Sequence, residues 1–508
     1  MDFLLGIDAG TTSVKAAIFA TDGHCLGIGR KEYQLDTPAA DQAQLDPDVY
    51  WQACVLTVND AIKQAGINAD QIQGLSVSSQ GETIITLDAH GNPIYPALVW
   101  FDNRALPQAN KLARKFNESI YFHTGIPEIV PTWSACKILW IKENEPAIFA
   151  RADKFLLVQD YLIYRLTGKF FTDGSVSSTT LYFDIIRNVW WEEVLKAIGI
   201  KAAHLPEIVS PGTIIGAISS AAARDLGLST TTKVICGGMD QAVGAIGAGN
   251  YQPGIISETT GAALTIQATI SDPMIDPARL IPVYFHSVPQ KFLFVPVCPT
   301  GGMAFKWFRD QFGQQEISIA ENQGLDSYDL LTKLAEKISA GADGLIMLPH
   351  LMGSFSPEPN PLARGSYSGF TLSHTRAHFV RALMEGVAFM LKQNIETIEK
   401  AGIRINEVVS TGGGARSRLW NQIKSNVLDK PLVTLQNEET ALLGNAILAG
   451  VACGLFRTID EGCKAMITRR ERILPDEEAA AYKQPYKLYC ILDHVLSDYY
   501  KSCYSETK

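Results

Sequence analysis

A carboxylate, three hydroxyls and a lysine within eight residues near the start of the chain, Asp8 to Lys15, have the types needed to handle a phosphate ester. They lie in a turn, Asp8 to Ser13, between two apolar runs, Phe3 to Ile7 and Val14 to Phe19. Amides and hydroxyls of Gly10, Thr11, Thr12 and Ser13 can donate to phosphate oxygens, Asp8 can hold a magnesium ion directly or through water, and Lys15 adds a positive charge nearby. A plain hairpin, whose Asp and Thr side chains only satisfy the turn, accounts for the same pattern. The other chemical candidate is Asp240 in GGMDQ, just after the apolar stretch Lys233 to Cys236 and the pair Gly237 and Gly238. At a strand's carboxyl end it can reach a substrate hydroxyl, and with an ordinary pKa of about 4 it is ionised at neutral pH and can take that hydroxyl's proton. A helix N-cap above Gln241 to Gly249 is compatible with the same position.

These side chains need a sheet edge to hold them. The two apolar runs read as antiparallel strands, TDG at Thr21 to Gly23 turns into a third near Gly27 to Tyr33, and Ile72 to Ser78 reads as a further strand. Between them, Asp46 caps a helix with Pro47 at its first position, and Trp51, Val55, Val58 and Ile62 form one apolar stripe. Thr83 to Leu87 and Leu98 to Trp100 are expected to be short extended pieces. The resulting βββαβ order has an expected second copy after residue 230: Lys233 to Cys236, a hairpin of Ile255 to Thr259 and Ala263 to Ala268 around Gly261, a third strand at Phe292 to Val297, and a helix at Gly302 to Phe312. The Thr259, Thr260, Gly261 turn would sit in its hairpin as Thr11 and Thr12 sit in theirs, and a ligand would lie in a cleft between the copies. Further on, strands at Leu345 to Leu348 and Val408 to Thr411 alternate with helices from His378 to about Ala401 and from Leu419 to Leu428. GGGARS, Gly412 to Ser417, joins a strand to a helix; its glycines suit close approach to a flat ligand or simply a tight turn. From Asp476 onward the charged, Tyr-rich segment reads as a surface helix without chemistry.

Composition narrows the class. The 508 residues suit about three domains of ordinary size or two large ones, and 46% hydrophobic with 19% charged residues describes an ordinary globular chain. A net charge of -9 gives no electrostatic footprint for nucleic acid or an anionic membrane. Nine scattered cysteines without a CxxC pair argue against a disulfide framework or a zinc site and for a reducing compartment. No secretory signal is visible, and the weakly polar run Ala441 to Phe456, which carries Asn445, is too short to span a bilayer. A cytoplasmic, soluble protein is expected.

Seven motifs in order resemble the FGGY carbohydrate kinases, the family of glycerol kinase, xylulokinase, ribulokinase and gluconate kinase, over nearly the whole chain. They are GIDAGTTSVK (Gly6 to Lys15), LVWFDNRA (Leu98 to Ala105), KILWIKEN (Lys137 to Asn144), DYLIYRLTG (Asp160 to Gly168), GGMDQAVGAIGAG (Gly237 to Gly249), GSYSGF with HFVRALMEGVAF (Gly365 to Phe389), and GGGARS. The resemblance implies an α/β fold of two actin/hexokinase-type, RNase H-like domains with a central cleft. Residues 1–250 would carry the sugar side and the first phosphate hairpin, and 251–508 the nucleotide side. It implies ATP and magnesium, with Asp8 at the metal and Asp240 as catalytic base. Thr11, Thr12 and Lys15 match the first phosphate hairpin, Thr260 and Gly261 the second, and Gly302, Gly413 and Ser417 the region around the nucleotide. Gln80, Glu82, Trp100, Asp102 and Gln241 fall where members contact the sugar or polyol.

On the residues themselves, Trp100 suits either a sugar face or plain core, and Asp102 and Glu82 either accept hydroxyls or pair with Arg104 or a backbone amide. Gln80-Gly81-Glu82 departs from the Gln-Met-His of xylulokinases and the Gln-Arg-Glu of glycerol kinases, whereas WFDNR resembles the xylulokinase form. Gly81 is expected to leave room for a substrate longer than a triol. The expected function is ATP-dependent phosphorylation of a terminal hydroxyl of a ketopentose such as xylulose, with glycerol or another polyol as alternative. A noncatalytic or chaperone-like ATPase of the actin-type superfamily is the rival from another class. The expected partner is a small sugar or polyol, with no nucleic acid or membrane, and a homodimer is left open.

Overall fold

The structure, a computed structural model, describes residues 2–273, 279 and 281–504. Contacts divide the chain into two units. The first comprises Met1–Gln252, Thr269–Leu293 and Glu439–Thr468; the second comprises Pro253–Ala268, Phe294–Glu438 and Arg469–Lys508. A single division into 1–250 and 251–508 therefore misses two returns of the chain to the first unit.

In the first unit, β1 (Phe3–Ala9), β2 (Ser13–Ala20) and β3 (Cys25–Glu32) form the expected antiparallel meander. β4 (Ile72–Ser79), β5 (Ile214–Ala217) and β6 (Lys233–Met239) complete a six-stranded sheet in the order β5-β6-β4-β1-β2-β3. β4 runs parallel to β1, and β6 parallel to β4. The helix Pro47–Ala65 begins as the sequence indicates, with Asp46 accepting from the Asp48 amide at 3.0 Å. Its buried Trp51 and Val58 join the core on the sheet.

β6 is the strand expected to open a second copy; it belongs instead to the first sheet, beside β4. The consequence is positional. Neighbouring parallel strands end on one line, and the register pairs Ala9 with Ser79 and Ser79 with Met239. Asp8, Gln80 and Asp240, far apart in sequence, therefore arrive at one sheet edge.

The helix Thr440–Ala452 is the weakly polar run of the sequence. Leu442, Leu443, Ala446 and Ile447 pack with Leu4, Ala17 and Phe19 of the sheet and with Val243 and Ile246 of the helix Asp240–Gly247. A helix apolar on nearly every side must be covered on nearly every side, and this one is. The approach to the Asp240 helix is so close that a β-carbon on Gly444 would collide with the Val243 carbonyl, and one on Gly247 with the Thr440 carbonyl.

The second unit repeats the pattern. β7 (Ile255–Thr260) and β8 (Leu264–Ile270) form the expected hairpin, and β9 (Val297–Cys298) pairs antiparallel with β8. β10 (Glu407–Thr411) lies parallel to β7, β11 (Leu432–Leu435) parallel to β10, and β12 (Arg469–Ile473) antiparallel to β11. Strand order and orientations match β3-β2-β1-β4-β6-β5. The strand expected over Phe292 to Val297 is two pieces, Phe292–Phe294 and Val297–Cys298, separated at Pro296, which has no NH to donate. Of the short pieces expected earlier, only Ile85–Leu87 and Ala97–Leu98 are strands. The helices Gly302–Phe312, Arg376–Lys400 and Arg418–Leu428 lie within two residues of their expected bounds. The terminal helix Lys483–Tyr504 also forms, although Tyr489 on it is fully buried.

Asp160, in the helix Val158–Thr167, is buried and accepts from the Leu157 amide at 2.9 Å. Burial pushes its carboxyl from 3.8 up to about 8. A group whose folded pKa is raised costs stability progressively as pH climbs from the unfolded value to the folded one. Asp160→Asn is therefore expected to raise the melting temperature, by more at pH 8 than at pH 5. Calorimetry of both proteins at the two pH values checks this, and an advantage that shrinks with rising pH would refute it.

Candidate active site

In the first unit the sheet edge gathers acids. Ser78 Oγ donates to Asp8 Oδ1 at 2.7 Å, and burial lifts the Asp8 carboxyl to about 6 against the opposing pull of Ser78 and Lys15. Asp240 is the first residue of its helix rather than the cap, which is Met239. Asp240 Oδ1 accepts from the Gln241 amide at 2.6 Å. Burial first, and then the charge of Asp8, pushes Asp240 to about 7. The ordinary value of about 4 expected from sequence does not hold, because two carboxyls share one partly desolvated edge. Gln241 follows on the same helix turn.

The turn of the hairpin is built as expected, with Gly10 N donating to Ser13 O at 3.0 Å and Tyr33 Oη donating to Gly10 O at 2.6 Å. Thr12 is exposed and Thr11 half-buried. Trp100 is neither core nor isolated: it is 38% exposed, and its indole NH donates to Thr11 Oγ1 at 2.9 Å. Lys15 is not a free charge, because Glu439 takes its ammonium at 2.9 and 2.7 Å.

Of the residues expected on the acceptor side, Gln80 is buried and donates to Tyr50 Oη at 3.0 Å, while its Oε1 has no partner among the described residues. Glu82 holds a left-handed backbone, φ 56, a conformation unusual for a residue with a side chain. Burial lifts its carboxyl to about 8, against Lys137 and with Asp240 adding to the rise. Asp102 is fully buried and is taken up structurally: Arg104 Nε lies 2.9 Å from both oxygens, and Ala43 N donates to Oδ2 at 2.6 Å. Both pairings that the sequence left open, with Arg104 and with a backbone amide, are thus observed. Gly81 does not open space, since a β-carbon there would strike the side chain of Thr179.

Sequence reasoning passed over Lys137. It lies on the helix Ser134–Asn144, wholly buried, and its ammonium donates to the carbonyls of Trp100 at 3.0 Å and Glu82 at 3.3 Å. Burial draws its pKa down to about 7. It ties together the two segments that carry the acceptor-side candidates. In the sequence it stands only as the first residue of the KILWIKEN motif, and no local pattern there marks a lysine that will be wholly buried.

In the second unit, Thr260, Gly261, Gly302, Gly413 and Ser417 all line one cavity of about 360 Å³, together with Phe305, Tyr328 and Trp420. Gly302 N donates to Gly261 O at 2.7 Å, which draws the helix start against the hairpin turn. A β-carbon on Gly302 would crowd that same carbonyl, and one on Gly413 would meet nothing within 4 Å. Thr260 does not offer its hydroxyl: it donates to Glu258 Oε2 at 2.7 Å and accepts from Lys424 Nζ at 2.8 Å. Ser417 Oγ accepts from the Trp420 amide at 3.2 Å and caps the helix Arg418–Leu428. The hairpin turn thus offers its backbone, held from beneath by the buried pair Lys424–Glu258 at 2.7 Å.

Two units with one strand order, one edge-lined by acids and the other by a cavity with aromatic walls, define the class as a two-domain phosphotransferase of actin and hexokinase type. Residues 3–247 match the FGGY family of carbohydrate kinases, N-terminal domain, and residues 258–453 match the C-terminal domain of the same family. The chain belongs to the FGGY family of carbohydrate kinases. It is 30% identical over 508 residues to the xylulose kinase of Bacillus subtilis, covering 100% of this chain and 98% of that one. To the gluconokinase of Bacillus subtilis it is 31% identical over 505 residues, covering 98% and 97%. Among solved structures, the ligand-bound xylulose kinase from Lactobacillus acidophilus superimposes with a TM-score of 0.90 at 27% identity, covering 99% of this chain and 100% of that one.

Lys424 and Glu258 are both fully buried, so removing one leaves the other charge without a partner. Lys424→Met is expected to destabilise the protein by about 3–5 kcal/mol, and Lys424→Met with Glu258→Gln to recover much of that loss. Urea unfolding of the two variants tests it; a double variant no more stable than the single one would count against the pairing.

Proposed function

We propose that the protein transfers the γ-phosphoryl group of ATP to a terminal hydroxyl of an uncharged sugar, a ketopentose such as xylulose in the first instance. The observation that carries the choice is the charge balance at the sheet edge. Asp8, Glu82 and Asp240 are all acids lifted by burial, while Lys137 is engaged by two carbonyls and Arg104 by Asp102. The burial that disfavours the ionised form of these acids would disfavour a sugar acid's carboxylate as well, whereas hydroxyls can donate to these oxygens and to Gln80 Oε1, which has no partner among the described residues.

The residues fit the nucleotide and its metal. The cavity of about 360 Å³ in the second unit is of the size and partly aromatic character that small ligands take, and Gly302 and Gly413 let a flat base approach closely. Asp8 Oδ2 accepts no hydrogen bond among the described residues, which suits a carboxylate sharing a magnesium ion with phosphate oxygens. Bound there, the metal would neutralise charge on the transferring phosphoryl group. Thr11, Thr12 and the turn amides donate to phosphate oxygens. The Lys15–Glu439 pair holds the strand behind them.

Asp240 is the base. Phosphoryl transfer passes through a loose transition state, so the protein's task is alignment, charge neutralisation and removal of the acceptor proton as the new bond forms. The Gln241 amide holds Asp240 Oδ1, and the Gln241 side chain hydrogen-bonds the same carboxylate, so one residue orients the base. Trp100, held by Thr11, and Glu82, held through its carbonyl by Ser134 and Lys137, orient the acceptor.

Asp240→Asn is expected to lower kcat about 10²–10⁴-fold, the range of a general base, with KM for ATP little changed. Because the base works ionised and its pKa stands near 7, kcat/KM for the acceptor should fall as pH drops below about 7 and level off above it. ADP release measured over ketoses, polyols and aldonates tests the acceptor class: turnover on xylulose-like ketoses exceeding that on gluconate supports it, and the reverse order refutes it. ATP turnover indifferent to every acceptor would favour the ATPase reading instead.

A further inference from the structure

Asn445 is the only strongly polar residue of the run Ala441 to Phe456, and it is fully buried. A buried amide without partners is costly, so its bonds show its purpose. Its Nδ2 donates to Ile7 O at 3.0 Å and to Ser78 Oγ at 2.7 Å, and its Oδ1 accepts from Ser76 Oγ at 2.9 Å. The Ile7 carbonyl can only accept, so the amide nitrogen must face it, and this settles which way the amide points. The same nitrogen's second hydrogen then goes to Ser78 Oγ. Having accepted there, Ser78 sends its own hydrogen onward, and Asp8 Oδ1 at 2.7 Å is a far better acceptor than Ile7 O at 3.5 Å.

We propose that Asn445 is a positioning residue for Asp8: through Ser78 it fixes Asp8 Oδ1 as a hydrogen-bond acceptor and turns Oδ2 toward the metal and phosphate. The direction of the relay originates at a main-chain carbonyl, which cannot reverse. It comes from a helix more than 360 residues away in sequence from both partners, inserted across β1 and β4. This rests on the reading of Asp8 given above. Groups that orient a metal's ligands commonly change metal affinity about 10- to 100-fold when removed.

The test is Mn²⁺ binding to the purified full chain with ADP present, followed by electron paramagnetic resonance. Asn445→Leu, which suits the apolar helix face, and Ser78→Ala are each expected to weaken Mn²⁺ binding about 10-fold, and the double variant no more than Ser78→Ala alone. Ser76→Ala, which cuts only the bond leading away from Asp8, should lower the melting temperature while leaving Mn²⁺ affinity within about twofold. Parental affinity in Asn445→Leu, or additive losses in the double variant, would overturn the relay. If Asn445→Leu does not fold, Ser78→Ala decides, and parental affinity there overturns it equally. Asp8→Asn separates the two readings: unchanged Mn²⁺ binding in that variant removes Asp8 from the metal site, whereas a loss seen only in Asp8→Asn removes Asn445 and leaves Asp8 in place.

Discussion

Neighbouring parallel strands must end on a common line, and the chemistry of the first unit depends on that constraint. β1, β4 and β6 are locked in register through Ser79, so whatever follows each strand is delivered to the same edge. The chain uses the three strand ends for Asp8, Gln80 and Asp240. No loop has to bring them together, and their spacing is as rigid as the hydrogen-bond ladder behind it. The second unit has the same strand order but places main-chain turns and a cavity at the corresponding hairpin, with the Thr260 hydroxyl turned down onto Glu258 and Lys424. One architecture thus presents two different surfaces, acidic side chains in one case and backbone with aromatic walls in the other.

The helix Thr440–Ala452 shows how a late segment completes an early site. Its apolar sides fill the space between the sheet and the Asp240 helix, close enough to require glycine at 444 and 247. At its start Glu439 pairs with Lys15, and further along Asn445 reaches Ile7 and Ser78. Packing and polar contacts both act on β1 and β2, so the helix cannot shift without disturbing the turn between them. A rigid support of this kind suits a reaction whose catalysis is mainly alignment.

Local pattern made much of this legible. The opening hairpin, the capped helix at Pro47, the second hairpin around Gly261 and the approach of Asp240 to a strand end follow from periodicity, turn residues and strand length, and the ordered motifs gave the family. What pattern does not carry is who pairs with whom over long separations. Asp102 stayed undecided between substrate hydroxyls, Arg104 and a backbone amide, because a spacing of two residues does not say whether the Arg104 fork closes on both oxygens. Lys15 looked free because Glu439 lies 424 residues on. Lys137 stood only as the first residue of a motif, and β6 looked like the start of a repeat because a buried strand carries no label for its sheet. The acid pKa values are likewise a property of assembly: each carboxyl alone is ordinary, and only shared burial raises it.

Relatives at 30% and 31% identity act on a ketose and on a sugar acid, so identity does not choose between acceptors. Charge offers a criterion of a different kind. A like charge about 5 Å away in surroundings of effective dielectric about 20 costs about 3 kcal/mol, several times the net gain of about 1 kcal/mol from one hydrogen bond. A carboxylate brought beside Asp8, into the burial that already raises Glu82 and Asp240, would have to be compensated by a cation, and the two nearest in sequence to Glu82 and Trp100 are held elsewhere, Lys137 by the Trp100 and Glu82 carbonyls and Arg104 by Asp102. Releasing either would leave a buried polar group or charge unpaired, at a cost of the same order. An uncharged polyhydroxy acceptor meets none of these penalties, since every hydroxyl it brings can donate to an oxygen that is already there.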